Sequence, residues 1–231
     1  MQFDDTVRSR RAMLGSIAAL GAFAVTRSTL GGTDRPAPRA VPTPVRQRIF
    51  AEPKAASVSA PRGVQPELFD RAIAALDAHG DTIRRRDRIA IADFDAPSSE
   101  HRFQFIDLEG GKVTRLLVSH GSGSDPAHSG KLQRFSNQPN SNATCEGAFV
   151  TADYYVGKHG RSQRVIGLDP TNDNARDRAI VIHGAWYANP DMLKTHGMLG
   201  RSQGCFAVGE QDLPQVFAML GEGRMIYAGK A

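Results

Sequence analysis

The chain of 231 residues holds only two cysteines, Cys145 and Cys205, and a single tryptophan. Two thiols allow one disulfide at most, so the fold must rest on a hydrophobic core, and the length suffices for one domain or at most two small ones. No acidic residue occurs between Asp5 and Asp34, and no cysteine follows the apolar stretch at Leu14–Val25. The second absence disfavours a lipid-anchored lipoprotein. Glu-x-x-His is absent, which removes the arrangement a zinc peptidase ordinarily uses. There is no internal repeat. The net charge of +5 is confined to one place: residues 1–60 hold nine Lys/Arg against four Asp/Glu, and the other 171 residues hold twenty of each sign. A neutral remainder offers no electrostatic reason for a nucleic-acid partner.

The basic tail has its own logic. Ser9-Arg10-Arg11 and Met13-Leu14 precede the twelve apolar residues Leu14–Val25. Twelve residues are too short for a membrane-spanning helix but suit the core of an export signal. The paired arginines resemble a twin-arginine signal, which carries folded cargo across a bacterial inner membrane. Residues 1–30 are therefore expected to be a signal peptide, with Ala22-Phe23-Ala24 a candidate cleavage site. Contact with the membrane would be transient and the destination periplasmic. An uncleaved anchor or a short buried helix competes for the same residues. Residues 31–66 contain seven of the thirteen prolines, so 31–65 reads as a linker and 66–231 as the domain.

In the domain, Pro66 suits a first helical position, with Leu68, Ala72, Ala75 and Leu76 on one face and Gly80 as a stop. The pattern then shifts to short runs rich in Ile, Val and Phe: "RIAIADF", "HRFQFIDL", "KVTRLLVSHG", "CEGAFVTADYYVG", "SQRVIGL" and "RAIVIHGAW". "LEGGK" reads as a hairpin turn. Leu213, Val216, Phe217 and Leu220 return to helical spacing before Gly221, and "RMIYAG" reads as a last strand. The expectation is a mainly β domain, a β-sandwich or strongly curved sheet, with a helix near each end. Arg84-Arg85-Arg86, between Asp81 and Asp87, reads as a solvated turn.

Cys205 lies in "SQGC". A thiol attacks as its thiolate and needs a base or a field that lowers its pKa. Gly204 permits a tight turn that brings backbone N–H groups near a substrate carbonyl, and Ser202 can hold that turn. His183 ends the apolar run "RAIVIHG", which places it at a strand end with Gly184 following. His196 is nearer in sequence but lies in a polar stretch with nothing to fix its ring, so His183 is the preferred base. His120, Asp125 and His128 in "HGSGSDPAH" could be read as part of a zinc site, though a glycine-rich loop is the simpler reading. "DPTNDNARDR" does not match an EF-hand and reads as a polar loop.

The ordered set "TCEGAFVT", "IVIHGAWY" and "LGRSQGCFAV" resembles the catalytic domain of murein L,D-transpeptidases (the YkuD fold), in particular a proteobacterial branch whose cysteine motif continues with small apolar residues. The likeness runs from about Asp93 to Val208. It implies that Cys205 is the nucleophile and His183 the base, that the Gly184 carbonyl orients the imidazole, and that Ser202 and Gly204 shape the oxyanion turn. Peptidoglycan stem peptides would be the partner, D-alanine would leave, and no cofactor would be needed. An amine acceptor makes this a transpeptidase; water makes it a carboxypeptidase. Two departures stand out. Ala207 occupies a position where many relatives carry arginine, leaving Arg201 as a candidate substitute for carboxylate recognition, with Gln203 and His120 at the substrate cleft. Cys145 replaces a proline that the family fold puts near Cys205. A Cys145–Cys205 disulfide in a non-catalytic wall-binding module, or a reversible one masking the nucleophile, is thus a rival expectation.

Overall fold

A computed structural model describes residues 59–231. The segment read as a signal peptide and most of the linker lie outside the described residues. The last linker residues pack onto the domain: Val64 is buried beside the first helix, and the Arg62 carbonyl accepts a hydrogen bond from Arg115 Nη2 at 2.8 Å. The packed chain therefore begins before Pro66.

Helix α1 (Pro66–Ala78) buries Leu68, Phe69, Ala72 and Leu76, with His79, one residue earlier than expected, as its cap. Eight strands follow: β1 (Arg88–Asp93), β2 (Phe103–Asp107), β3 (Val113–Leu116), β4 (Gly147–Gly157), β5 (Gly160–Gly167), β6 (Val181–Gly184), β7 (Phe206–Val208) and β8 (Met225–Gly229). They form one sheet in the order β3-β2-β1-β8-β4-β5-β6-β7. This settles the sandwich-or-sheet alternative as a single sheet. Two further helices are α2 (Asp191–His196) and α3 (Leu213–Leu220). Among the described residues no helix is long and apolar enough to cross a membrane. The residues Arg84–Arg86 are exposed, as a solvated turn requires.

Strand alternation divides the core in two, because successive side chains point to opposite faces. Ile89, Ile91, Ile106, Ala148, Val150, Met225 and Tyr227 meet α1. Ala90, Ala92, Phe103, Phe105, Phe149, Ile226 and Phe206 fill the other face with Val216, Phe217 and Leu220 of α3.

The sheet must curl strongly. Eight strands laid flat would separate β3 from β7 by roughly 34 Å at the usual strand spacing. Yet Ser119, three residues beyond the end of β3, bridges Ala207 of β7, donating its N–H to the Ala207 carbonyl at 2.9 Å. Three residues reach only about 10 Å. The two edges are thus drawn together, with Ser119 against β7 and the residues after it against Ser202 in the turn that precedes β7.

Phe206 anchors the short strand β7, stacking on Phe103 at 6.1 Å and meeting Phe149 edge-on at 5.3 Å. Phe206→Ala should lower unfolding stability by about 3–5 kcal/mol, measured by urea denaturation.

Candidate active site

β6 and β7 run parallel with Ile182 opposite Phe206 and His183 opposite Ala207. Cross-strand partners share a face, and residues two apart on one strand do too. Cys205, two before Ala207, therefore falls diagonally beside His183. Both line one cavity of about 360 Å³. His183 is 1% exposed, and its Nδ1 lies 2.9 Å from the Gly184 carbonyl. A carbonyl only accepts, so Nδ1 carries the proton and Nε2 keeps its lone pair. Gly184 serves through its main chain; its nearest neighbours stand 3.4 Å from where a Cβ would sit.

The two cysteines are unbonded. The Cys205 thiol donates to the Ala179 carbonyl at 3.6 Å. Ala179 holds φ +54, a conformation that costs an L-residue about 1–2 kcal/mol. Cys145 is buried; its sulfur accepts from Arg178 Nη1 at 2.7 Å and donates to Asn137 Oδ1 at 3.8 Å.

The turn before Cys205 is held from within. Ser202 Oγ accepts the Gly204 N–H at 3.1 Å and donates to the Cys205 carbonyl at 2.8 Å. Gly204 has φ +108, and a Cβ there would stand 2.6 Å from the Ala143 carbonyl oxygen. Only glycine fits. Gly200-Arg201-Ser202-Gln203-Gly204 also has the Gly-x-Ser-x-Gly spacing of a serine nucleophile. Ser202 is 4% exposed and both roles of its hydroxyl are used inside the turn, so it braces the cysteine and is no nucleophile.

Other expected site residues divide. Gln203 is exposed and lines the cavity. Arg201 lines it too, with its Nη1 committed to the carbonyls of Asp125 and Pro126. His120 does not reach the cleft. It is 1% exposed, with Nδ1 accepting from Arg102 Nη2 at 2.8 Å and Nε2 donating to Asp125 Oδ2 at 3.3 Å. Burial and the nearby Arg102 charge push its imidazole down to about 4. His120 is thus a neutral scaffold residue, and both ring nitrogens are occupied. His128 Nε2 bonds instead to the Leu199 carbonyl. The three side chains do not converge as ligands, and no group of three or more potential ligands occurs among the described residues. His196 ends α2, exposed, beside a different cavity.

Sequence reasoning missed seven residues of the cysteine cavity, five of them with polar or aromatic side chains: Tyr155, Lys158, His159, Arg178 and Tyr187. Two come from the β4–β5 turn, whose "GKHG" offered the signal of a basic, glycine-flanked hairpin. The His159 ring stacks on that of His183, centroids 4.1 Å apart and planes 19° apart. A larger cavity of about 540 Å³ beside Asp93 and Glu100 is lined by neither cysteine, so the thiol and the imidazole meet in the smaller one.

Burial pushes the Cys205 thiol above its ordinary range, against the pull of the Val181 amide, Lys158 and Arg178. Burial likewise pushes His183 below the usual imidazole range; the Gly184 carbonyl opposes this, while His159 and Lys158 reinforce it. Each shift favours the neutral form, so the pair rests at pH 7 as thiol and imidazole.

The model of the L,D-transpeptidase catalytic domain family matches residues 60–228. The chain belongs to this family. Among solved structures, an L,D-transpeptidase from Mycobacterium smegmatis is 16% identical, with 62% of this chain and 58% of that one covered and a TM-score of 0.38. One from Stackebrandtia nassauensis is also 16% identical, covering 73% and 72%, with a TM-score of 0.37. The helical cell shape determining protein Pgp2 from Campylobacter jejuni is 16% identical, covering 72% and 57%, with a TM-score of 0.39. The chain thus spans less than two thirds of the Mycobacterium and Campylobacter proteins. No curated protein matches it.

For this L,D-transpeptidase domain, removing the ring that covers the imidazole should readmit water and delete a neighbouring cation. In His159→Ala the titration midpoint of His183, followed by the NMR shift of its ring protons, should move up toward the ordinary value. An unchanged midpoint would mean that the stack leaves the base untouched.

Proposed function

We propose that the protein is a periplasmic cysteine acyltransferase acting on tetrapeptide stems of peptidoglycan, with Cys205 as nucleophile and His183 as base. One observation carries this reading: a thiol and an imidazole of fixed tautomer open on the same cavity. His183 Nε2 takes the thiol proton as Sγ bonds to the carbonyl carbon of the residue preceding D-alanine. Of the turn's amides, that of Gly204 is spent on Ser202, which leaves those of Gln203 and Cys205 to face the oxyanion. The C–N bond then breaks, the imidazolium hands its proton to the departing D-alanine amine, and a thioester remains on Cys205. An amine from a neighbouring stem attacks the thioester, gives its proton to His183, and expels the sulfur, which is reprotonated. Water as acceptor would give a carboxypeptidase by the same steps. These groups need no cofactor.

The paired arginines and the apolar stretch of the tail support export through the twin-arginine route. That places the enzyme beside its substrate.

Incubation of the purified protein with disaccharide-tetrapeptide, followed by mass spectrometry, should show release of D-alanine and a transient acyl adduct on Cys205. Cys205→Ala should lower release by at least about a thousandfold. Release that persists in that variant would remove Cys205 as nucleophile. Because His183 acts as the neutral base and its pKa is depressed, kcat/KM should rise with pH along an acidic limb whose midpoint lies below the ordinary imidazole value of about 6.5.

A further inference from the structure

The cysteine cavity is lined by three cationic side chains, Lys158, Arg178 and Arg201, and by no Asp or Glu among the described residues. Positive charge gathered in a partly desolvated cleft without a counter-charge of its own favours an anionic ligand. The three cations are not equivalent. Arg178 is a strap, donating to the Ser136 carbonyl at 2.7 Å, to the Ala143 carbonyl and to Cys145 Sγ. Arg201 is tied to the backbone at Asp125 and Pro126. The ammonium of Lys158 makes no hydrogen bond or ion pair among the described residues. It projects from the turn between β4 and β5, one residue before the histidine that covers His183.

We propose that Lys158 binds the terminal carboxylate of the donor stem and so determines that the cavity accepts a free-acid peptide. This rests on the acyl-transfer reading and names the group of the substrate that the site selects. A planar carboxylate needs a donor at the rim that is not already committed, and a flexible lysine can follow it into place. The ion pair has a second effect. The charge of Lys158 disfavours the imidazolium of His183, so neutralising it with the substrate's carboxylate makes the imidazole a better base once the correct ligand is bound. Recognition and activation are thereby joined in one contact.

The test compares a disaccharide-tetrapeptide ending in D-alanine with the same compound ending in D-alaninamide. The native protein should prefer the acid by about five- to twentyfold in kcat/KM, the range expected for one charged hydrogen bond at a half-open site. Lys158→Gln should raise KM for the acid by a similar factor and abolish the preference, and Lys158→Arg should restore it. A binding arm removes any dependence on turnover: in a Cys205→Ala background, adding Lys158→Gln should weaken binding of the acid, measured by calorimetry, and leave the amide unaffected. If Lys158→Gln keeps the native preference for the acid in both arms, the assignment is overturned while the acyl-transfer reading stands. If the native protein releases nothing from either compound, the acyl-transfer reading fails, and the binding arm still decides for or against the ion pair.

Discussion

The site exists because two short strands pair in parallel. His183 and Cys205 are 22 residues apart, and only the register of Ile182 on Phe206 and His183 on Ala207 sets them side by side. A strand of three residues cannot hold such a register by its own ladder. β7 is gripped from both sides: β6 on one, and Ser119 with the chain leaving β3 on the other. Phe206 drives it into the aromatic core on the face opposite α1. Curvature of the sheet, packing of the core and placement of the thiol are therefore one constraint viewed at three scales.

Beneath the cysteine turn lies a buried polar pillar. Arg102, 1% exposed, donates to the Val118 carbonyl at 3.1 and 2.9 Å, to the Ala96 carbonyl and to His120. His120 leads to Asp125, whose carboxylate also accepts from the amides of Ser129 and Gly130 at 2.9 Å each. Burying a guanidinium is costly and pushes Arg102 down to about 9, so every partner matters. The return is positional. The His120 carbonyl accepts the Ser202 N–H at 2.9 Å, and the Ser202 carbonyl accepts the Ser122 N–H at 2.8 Å. The sign of its acid sensitivity follows from His120. Its folded pKa of about 4 lies below the unfolded value, so the unfolded chain takes up the proton first, and stability falls as pH drops from about 6.5 toward 4.

Most strands and both longer helices were legible because their buried residues form a recognisable pattern. α1 and α3 turn one apolar face inward, and β1 and β8 are short apolar runs between turn residues, buried on both faces. α2 escaped notice for the opposite reason: it buries no residue, so no hydrophobic period marks it, and His196 seemed to lie in irregular chain. β7 escaped because three residues after a glycine turn are too few to show a period. Of the site, the motif residues could be read because the turn admits nothing but glycine at 204 and the strand end fixes His183. Lys158, His159 and Arg178 could not be read, since a hairpin turn and a polar loop reach the cavity only through tertiary packing. His120 misled for a physical reason as well: a histidine in a glycine-rich loop looks the same in sequence whether it faces a cleft or carries a buried arginine.

The second cysteine shows the same difference between proximity and role. A second thiol near Cys205 invites a disulfide, and charge on the Cys205 sulfur reaches Cys145. But Cys145 is embraced by Arg178, which also holds the Ser136 and Ala143 carbonyls. The Ala143 oxygen is the atom that leaves no room for a side chain at Gly204. Cys145 thus belongs to the wall on which the turn before Cys205 is pressed, and pulling its sulfur toward Cys205 would loosen the strap that shapes that turn. Burial raises the Cys145 thiol above its ordinary range, which keeps it protonated and a poor nucleophile. Both thiols rest neutral, and of the two only Cys205 shares its cavity with an imidazole whose Nε2 is free to accept a proton.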